Sequence, residues 1–265
     1  MSNYAVDLNS DLGESYGTYV LGMDEEITKY TSSVNVACGW HGGDPMVMEK
    51  TVKLCVERRV GIGAHPSYPD LMGFGRRHMN LSFEEAKAYV KYQLGALTAF
   101  VQASGQRVQH LKAHGAMGND SNKDEKLARA ICEAVAEVDD SIILLSFANG
   151  AVIRAAQEMG LRGANEVFAD RAYRDDYTLV PRGEPGAMIH DAEFAARRIV
   201  RMIREGKVET ASGKDLDISV QSVCVHGDTP TAVEIVKNLR ALLESEEIQI
   251  TKLDALVGNQ KGDKQ

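Results

Sequence analysis

Residues 34–65 read VNVACGWHGGDPMVMEKTVKLCVERRVGIGAH, and the stretch parses as strand, loop, helix and strand. Residues 34–37 and 60–64 are short apolar runs of the kind a buried parallel strand needs. Between them, Asp44-Pro45 sets an N-cap before a first-turn proline and opens a helix that runs to about Arg59. Met48, Val52, Cys55 and Val56 recur at helical spacing and form its apolar stripe.

The same alternation extends in both directions. Further candidate strands lie at 5–8, 108–112, 142–147, 166–169 and 220–225. Ser82-Phe-Glu-Glu85 is a capping box, and the helix behind it carries Phe83, Ala86, Val90, Leu94, Leu97 and Val101 on one face. Leu127, Ile131, Ala134, Val135 and Val138 define the next helix. Val152, Ile153, Ala156 and Met159 define another, closed by Gly160. Phe194, Ile199, Met202 and Ile203 give one that Gly206 closes. Thr229-Pro230 repeats the cap-and-proline pattern before Val233, Val236, Leu239 and Leu243. Alternation over the whole chain predicts an α/β fold, a parallel sheet with helices outside it. Seven strands in one series suggest a closed β/α barrel. A doubly wound open sheet is the rival, and periodicity fits either. No linker interrupts the series, so residues 1–257 read as one domain and 258–265 as a polar tail.

Length and composition agree. The chain has 265 residues, 44% of them hydrophobic and 26% charged, which excludes a disordered tail protein, a collagen, a coiled coil or a small disulfide scaffold. Lys and Arg minus Asp and Glu is 30 − 38 = −8, so a nucleic-acid partner is not expected. No apolar run approaches the roughly 18 residues that cross a bilayer. The first residues lack a basic segment followed by an apolar one, and a cytosolic location is expected. Cys38, Cys55, Cys132 and Cys224 are far apart and read as buried reduced thiols.

Parallel α/β folds bind ligands at the carboxyl ends of their strands, so the residues just after each apolar run carry the most information about chemistry. Asp7-Leu-Asn9-Ser-Asp11-Leu-Gly-Glu14 comes after the first, and Cys38-Gly-Trp-His41-Gly-Gly-Asp44 after the second. His65-Pro-Ser-Tyr-Pro-Asp70 comes after the third, Lys112-Ala-His114-Gly ends the fourth, Asp170-Arg171 the sixth and His226-Gly-Asp228 the last. Four of the seven histidines therefore sit at strand ends. Imidazoles and carboxylates converging on one rim suit proton transfer or metal binding. Asp7, Asn9 and Asp11 would share one strand face. They read as a carboxylate pair for base or metal work, or as a turn rich in Asx residues. Glu14 reads as a cap partner or a surface residue. Lys112 inside a barrel mouth requires an anionic neighbour.

Two long connections, 65–81 and 170–190, carry Arg76, Arg77, Arg171 and Arg182, which read as surface charge or as clamps for a carboxylate or phosphate. Neither a G-x-x-x-x-G-K-[ST] loop nor a G-x-G-x-x-G turn after a strand is present.

The strings DLNSDLGESYG, SVNVACGWHGGDP, GAHPSYPDLMGFGRR, LKAHGAM, EVFADRAY and CVHGDTP occur in this order, and together they resemble the LamB/YcsF family over nearly the whole chain. The resemblance implies a seven-stranded barrel like that of polysaccharide deacetylases. It implies ATP-dependent opening of the 5-oxoproline lactam to L-glutamate, with Mg2+ accompanying ATP and two further subunits, of B and C type, as partners. On that footing Asp7, Asp11, His41, His65 and His114 are candidate catalytic residues. Asn9, Lys112, Arg76, Arg171, Arg182 and His226 are candidate substrate contacts, and Asp11, His41 and His65 are candidate ligands for a tightly bound divalent metal. Two other functions compete. One is a stand-alone metal-dependent amidase or deacetylase, against which stands the absence of any compact H-x-x-x-H pair. The other is a non-catalytic subunit that presents a small ligand.

Overall fold

Asp7, Leu8 and Asn9 pair in parallel with Ser222, Val223 and Cys224, and that contact between the first and last barrel strands closes the sheet. The computed structural model describes residues 4–225 and 230–258. The barrel strands β1 (Ala5–Leu12), β2 (Ser33–Ala37), β3 (Gly61–His65), β4 (His110–Leu111), β5 (Ile143–Phe147) and β6 (Gly163–Phe168) follow in order. An antiparallel hairpin, β7 (Lys207–Glu209) with β8 (Asp215–Asp217), precedes the closing strand β9 (Ser222–Cys224). Closure selects the barrel over the open sheet. All seven expected strands are present, with ends shifted by a few residues. β1 runs to Leu12 and so includes Asp11. The short strand β10 (Gln249–Ile250) extends the sheet outside the barrel along Ala5 and Val6. The hairpin and β10 are too short for sequence periodicity to reveal.

Helices α1 (Asp24–Ile27), α2 (Pro45–Arg58), α3 (Phe83–Ala103), α4 (Gly115–Ser121), α5 (Glu125–Asp139), α6 (Ala151–Glu158), α7 (Ala192–Glu205), α8 (Pro230–Ser245) and α9 (Leu253–Leu256) fill the crossovers and the end of the chain. The caps act as their residue types require. The Asp44 carboxylate accepts from the amides of Met46 and Val47, and Ser82 and Glu85 satisfy each other's orphan amides. Gly206 adopts the left-handed conformation after α7. Leu94 and Leu97 of α3 are fully buried. The Thr229 cap, the His226-Gly-Asp228 string and the end of the polar tail, 259–265, lie outside the described residues. Among the described residues no helix is long and apolar enough to cross a membrane.

The barrel interior is polar. The Asn35 amide donates to Asn9 Oδ1 at 2.7 Å and His110 Nε2 meets Asn35 Oδ1 at 2.7 Å. Asn9 donates in turn to Glu166 Oε1 at 2.9 Å and to Ser222 Oγ at 2.8 Å. Two of these bonds, His110 to Asn35 and Asn9 to Glu166, join β4 to β2 and β1 to β6, strands that are not neighbours, so they cross the lumen. A polar lumen is stable only when its groups satisfy one another, and the chain of bonds leads up to the site.

Candidate active site

The carboxyl ends of β1 to β4 bring three histidines and two carboxylates together. The loop after β2 carries His41, and its position depends on glycine. Gly43 has φ +78°, and a Cβ there would sit 2.9 Å from the Gly13 carbonyl. On the other side, the turn at 70–76 is pinned by an Asp70–Arg77 ion pair and by the Ala116 amide on the Gly75 carbonyl at 2.8 Å. Gly75 has φ +63°, and a Cβ there would press on His41. Both glycines are therefore needed for backbone to approach the imidazoles.

His41 stacks on His114 at 3.6 Å between ring centres. Glu14 Oε1 lies 3.1 Å from His41 Nε2 and 3.5 Å from His114 Nδ1. His65 Nε2 lies 3.0 Å from His114 Nδ1 and 3.3 Å from Asp11 Oδ2. Two backbone carbonyls fix the tautomers. His65 Nδ1 is 2.7 Å from the Lys112 carbonyl, and His114 Nε2 is 2.9 Å from the Phe74 carbonyl. A carbonyl only accepts, so those two nitrogens carry the protons. His114 Nδ1 then presents a lone pair toward His65 Nε2, with Glu14 and Asp11 adding negative charge beside them. Burial and then the neighbouring His65 hold His41 well below the usual imidazole pKa. Burial and then His41 do the same to His114, so both are neutral near pH 7.

That arrangement favours a cation among the lone pairs. The ligand atoms of Glu14, His41, His65 and His114 lie within 4.8 Å of one another. The separations of 3.0–3.5 Å above bracket the edge of about 3.3 Å expected of tetrahedral donors with bonds near 2.0 Å. These four residues could hold a divalent ion. Three imidazole nitrogens, which are borderline donors when neutral, with one hard carboxylate oxygen make a set that suits zinc and its neighbours.

Asp11 is otherwise engaged. Lys112 Nζ lies 3.2 Å from Asp11 Oδ1 and 2.9 Å from Glu166 Oε1. Burial pulls the Lys112 pKa down, but Asp11 and Glu166 outweigh it and hold the ammonium well above its ordinary value. Burial pushes the nearby Cys224 thiol far up, so it stays protonated. The anionic neighbours that Lys112 requires are thus two residues of this chain.

Above this floor opens a cavity of about 470 Å³, lined by Asp11, Glu14, His65, Lys112, His114, Phe168 and the arginines 76, 171, 174 and 182. Of the residues expected at the site, Asp7, Asn9 and His41 are not among its lining. Asp7 is fully buried and takes hydroxyl bonds from Ser32 at 2.7 Å and Ser222 at 2.5 Å. His226 lies outside the described residues. Glu14 proves to be the carboxylate among the histidines, where the sequence suggested a cap or surface role. Glu166 went unnoticed, although a carboxylate in an apolar strand run was a readable signal.

Residues 6–258 match the LamB/YcsF family. The chain belongs to that family. Within the LamB/YcsF family, it is 57% identical over 254 residues to an Alkaliphilus metalliredigens protein named as the A subunit of 5-oxoprolinase, covering 96% of this chain and 99% of that one. A Pyrococcus abyssi protein of the same name is 53% identical over 253 residues, covering 96% and 99%. The crystal structure of a lactam utilization protein from Thermus thermophilus superposes with a TM-score of 0.89 at 43% identity, over 93% of this chain and 99% of that one. Coverage from end to end places the LamB/YcsF resemblance on the barrel as a whole.

Proposed function

We propose that this chain binds and opens the lactam of 5-oxoproline to give L-glutamate, as the A subunit of an ATP-dependent 5-oxoprolinase. The observation that carries the reading is the convergence of Asp11, Glu14, His41, His65 and His114 at the base of an arginine-lined cavity. The names and full-length similarity of the relatives support it.

A lactam amide is stabilised by resonance, so hydrolysis needs activation of both the ring carbon and water. Asp11, with its Oδ2 3.3 Å from His65 Nε2, is the group to take a proton from water and to return it to the leaving ring nitrogen. His114, its Nε2–H held by the Phe74 carbonyl and its ring stacked on His41, keeps Nδ1 turned toward Glu14 and His65 as a donor to a cation. Lys112 is committed to Asp11 and Glu166, so its role is to orient Asp11, and the substrate carboxylate falls to Arg76. Asp7 supports the strand from below. A divalent ion held by Glu14, His41, His65 and His114 would supply Lewis-acid polarisation of the carbonyl.

Since neither common phosphate loop occurs in the sequence, the handling of Mg-ATP is assigned to partner subunits of B and C type. The described cysteines are free and buried, which suits a reducing, cytosolic compartment.

The test is glutamate release from 5-oxoproline with Mg-ATP, for the chain alone and for the chain with its partner subunits. Activity only in the mixture, abolished by Asp11→Asn with folding intact, is the expected result. Full activity in Asp11→Asn would refute the role of Asp11. The Glu14–histidine donor set favours a second reading, a metal-dependent amidase. Amide hydrolysis by the chain alone, lost to chelator and indifferent to ATP, would establish it instead.

A further inference from the structure

The cavity holds more uncommitted positive charge than one substrate carboxylate requires. Lys112 is neutralised by Asp11 and Glu166, and Arg174 by Glu184 at 2.6 Å. Arg76, Lys123, Arg171 and Arg182 also line the space. Arg76 lies over the Phe74 ring at 4.9 Å, beside the histidines, and Lys123 already acts on the Asp176 carboxylate, which leaves Arg171 and Arg182 for something else.

Arg171 is the informative one. It is only 8% exposed. Its Nη2 donates to the Val180 carbonyl at 2.6 Å, yet its Nε is buried without a partner. Burial, and next the repulsion of Arg182, oppose its charge, and Asp170 offsets a part of that. The connection that carries both arginines is folded back on itself. Arg171 bridges to Met188 and Tyr173 to Leu179, and the Ile189 amide donates to the Asp170 carbonyl at 2.8 Å. The Arg171 guanidinium is therefore held in place before any ligand arrives, and the exposed Arg182 borders the same cavity, in a chain whose net charge is −8.

We propose that Arg171 and Arg182 form an anion subsite for a phosphoryl group, distinct from the carboxylate contact at Arg76. The proposal rests on the ATP-coupled reading above. A tetrahedral dianion offers several oxygen edges to planar guanidinium forks, and its two charges match two arginines. A single carboxylate would leave one of them unanswered. The phosphoryl group could arrive on an activated substrate, leave as inorganic phosphate, or belong to a nucleotide. The subsite chemistry is common to all three.

The experiment is calorimetric titration of the chain with sodium phosphate at fixed ionic strength. It compares wild type, Arg182→Ala, the remote surface variant Arg129→Ala, and Asp11→Asn. Saturable binding is expected, weakened about ten-fold or more by Arg182→Ala and unchanged by Arg129→Ala. Asp11→Asn should keep phosphate affinity while losing turnover, so failure of the lactam reading and failure of the subsite give different results. In a parallel titration, ADP binding no tighter than phosphate assigns the subsite to a free or substrate-borne phosphoryl group. ADP binding far tighter, and lost in Arg182→Ala, assigns it to the nucleotide. The absence of saturable phosphate binding, indifference to Arg182→Ala, or displacement of phosphate by an equal concentration of acetate would overturn the proposal.

Discussion

Replacing Lys112 by methionine keeps most of the side chain's volume and removes its charge. In the wild type the ammonium lies 2.9 Å from Glu166 Oε1 and 3.2 Å from Asp11 Oδ1, with side-chain exposures of 9%, 1% and 13% for Lys112, Glu166 and Asp11. At an effective dielectric of about 20, each contact is worth roughly 5 kcal/mol before desolvation is subtracted. Much of that only repays the burial of three charges. Removal of the cation leaves two carboxylates without their shared partner, a change of the class that costs about 3–5 kcal/mol. Lys112→Met is therefore expected to lose about that much stability, and its urea midpoint should fall by about 1 M or more at slopes near 3 kcal/mol per M. Trp40, the only tryptophan, stacks on Tyr92 at 5.6 Å beside the site and reports the transition by fluorescence. The double variant Lys112→Met/Glu166→Gln removes one of the stranded charges and should recover part of the loss. A single variant within about 1 kcal/mol of wild type on that urea scale, or a double variant no more stable than the single, would refute the account of the barrel centre as a balanced charge cluster.

Burial raises the Asp7 carboxyl from 3.8 to about 6 against the lowering effect of its serine bonds. The folded state then holds the proton more tightly than the unfolded chain. This group's stabilisation is present below the unfolded pKa and is lost as pH rises through the folded one, a change of about 3 kcal/mol for about two units. Asp7→Asn cannot ionise, so its stability relative to wild type should rise by about that amount between pH 4 and pH 7.5. A difference that stays flat across the range would exclude a titrating Asp7. At the donor set, wild type is expected to bind one divalent ion per chain, and His114→Ala to weaken it by at least about ten-fold, the scale of losing even an outer-shell partner. Competition with a chromophoric chelator reads both, and unaltered affinity in His114→Ala would remove that histidine from the set.

The alternation of apolar runs and helical stripes was legible because each element buries one face, and burial leaves a period. The caps at Asp44 and Ser82 were equally legible, since a helix end presents orphan amides to the residue beside it. The loops' chemistry was visible as a series of polar residues at strand ends, with His41, His65 and His114 among them. The short elements β10 and α4 were not, because two and seven residues are too few to show a period.

Sequence alone determined a parallel α/β chain with its chemistry at the carboxyl ends of the strands, because those properties follow from local pattern and from the geometry common to such folds. Whether the sheet closed was decided only in three dimensions, by the pairing of Asp7–Asn9 with Ser222–Cys224. Closure also sorted residues that look alike in one dimension. Asp7 and Asp11 share a strand face, yet one is buried among serines and the other reaches Lys112 and His65. Glu14 joined the histidines because Gly13 turns with φ +69° just before it, and Glu166 met Lys112 across the lumen from 54 residues away in sequence (166 − 112). Contacts between residues so far apart carry no periodic signal. They exist only once the strands have been brought around the barrel, and the partners that set charge, tautomer and reach in this site are of that kind.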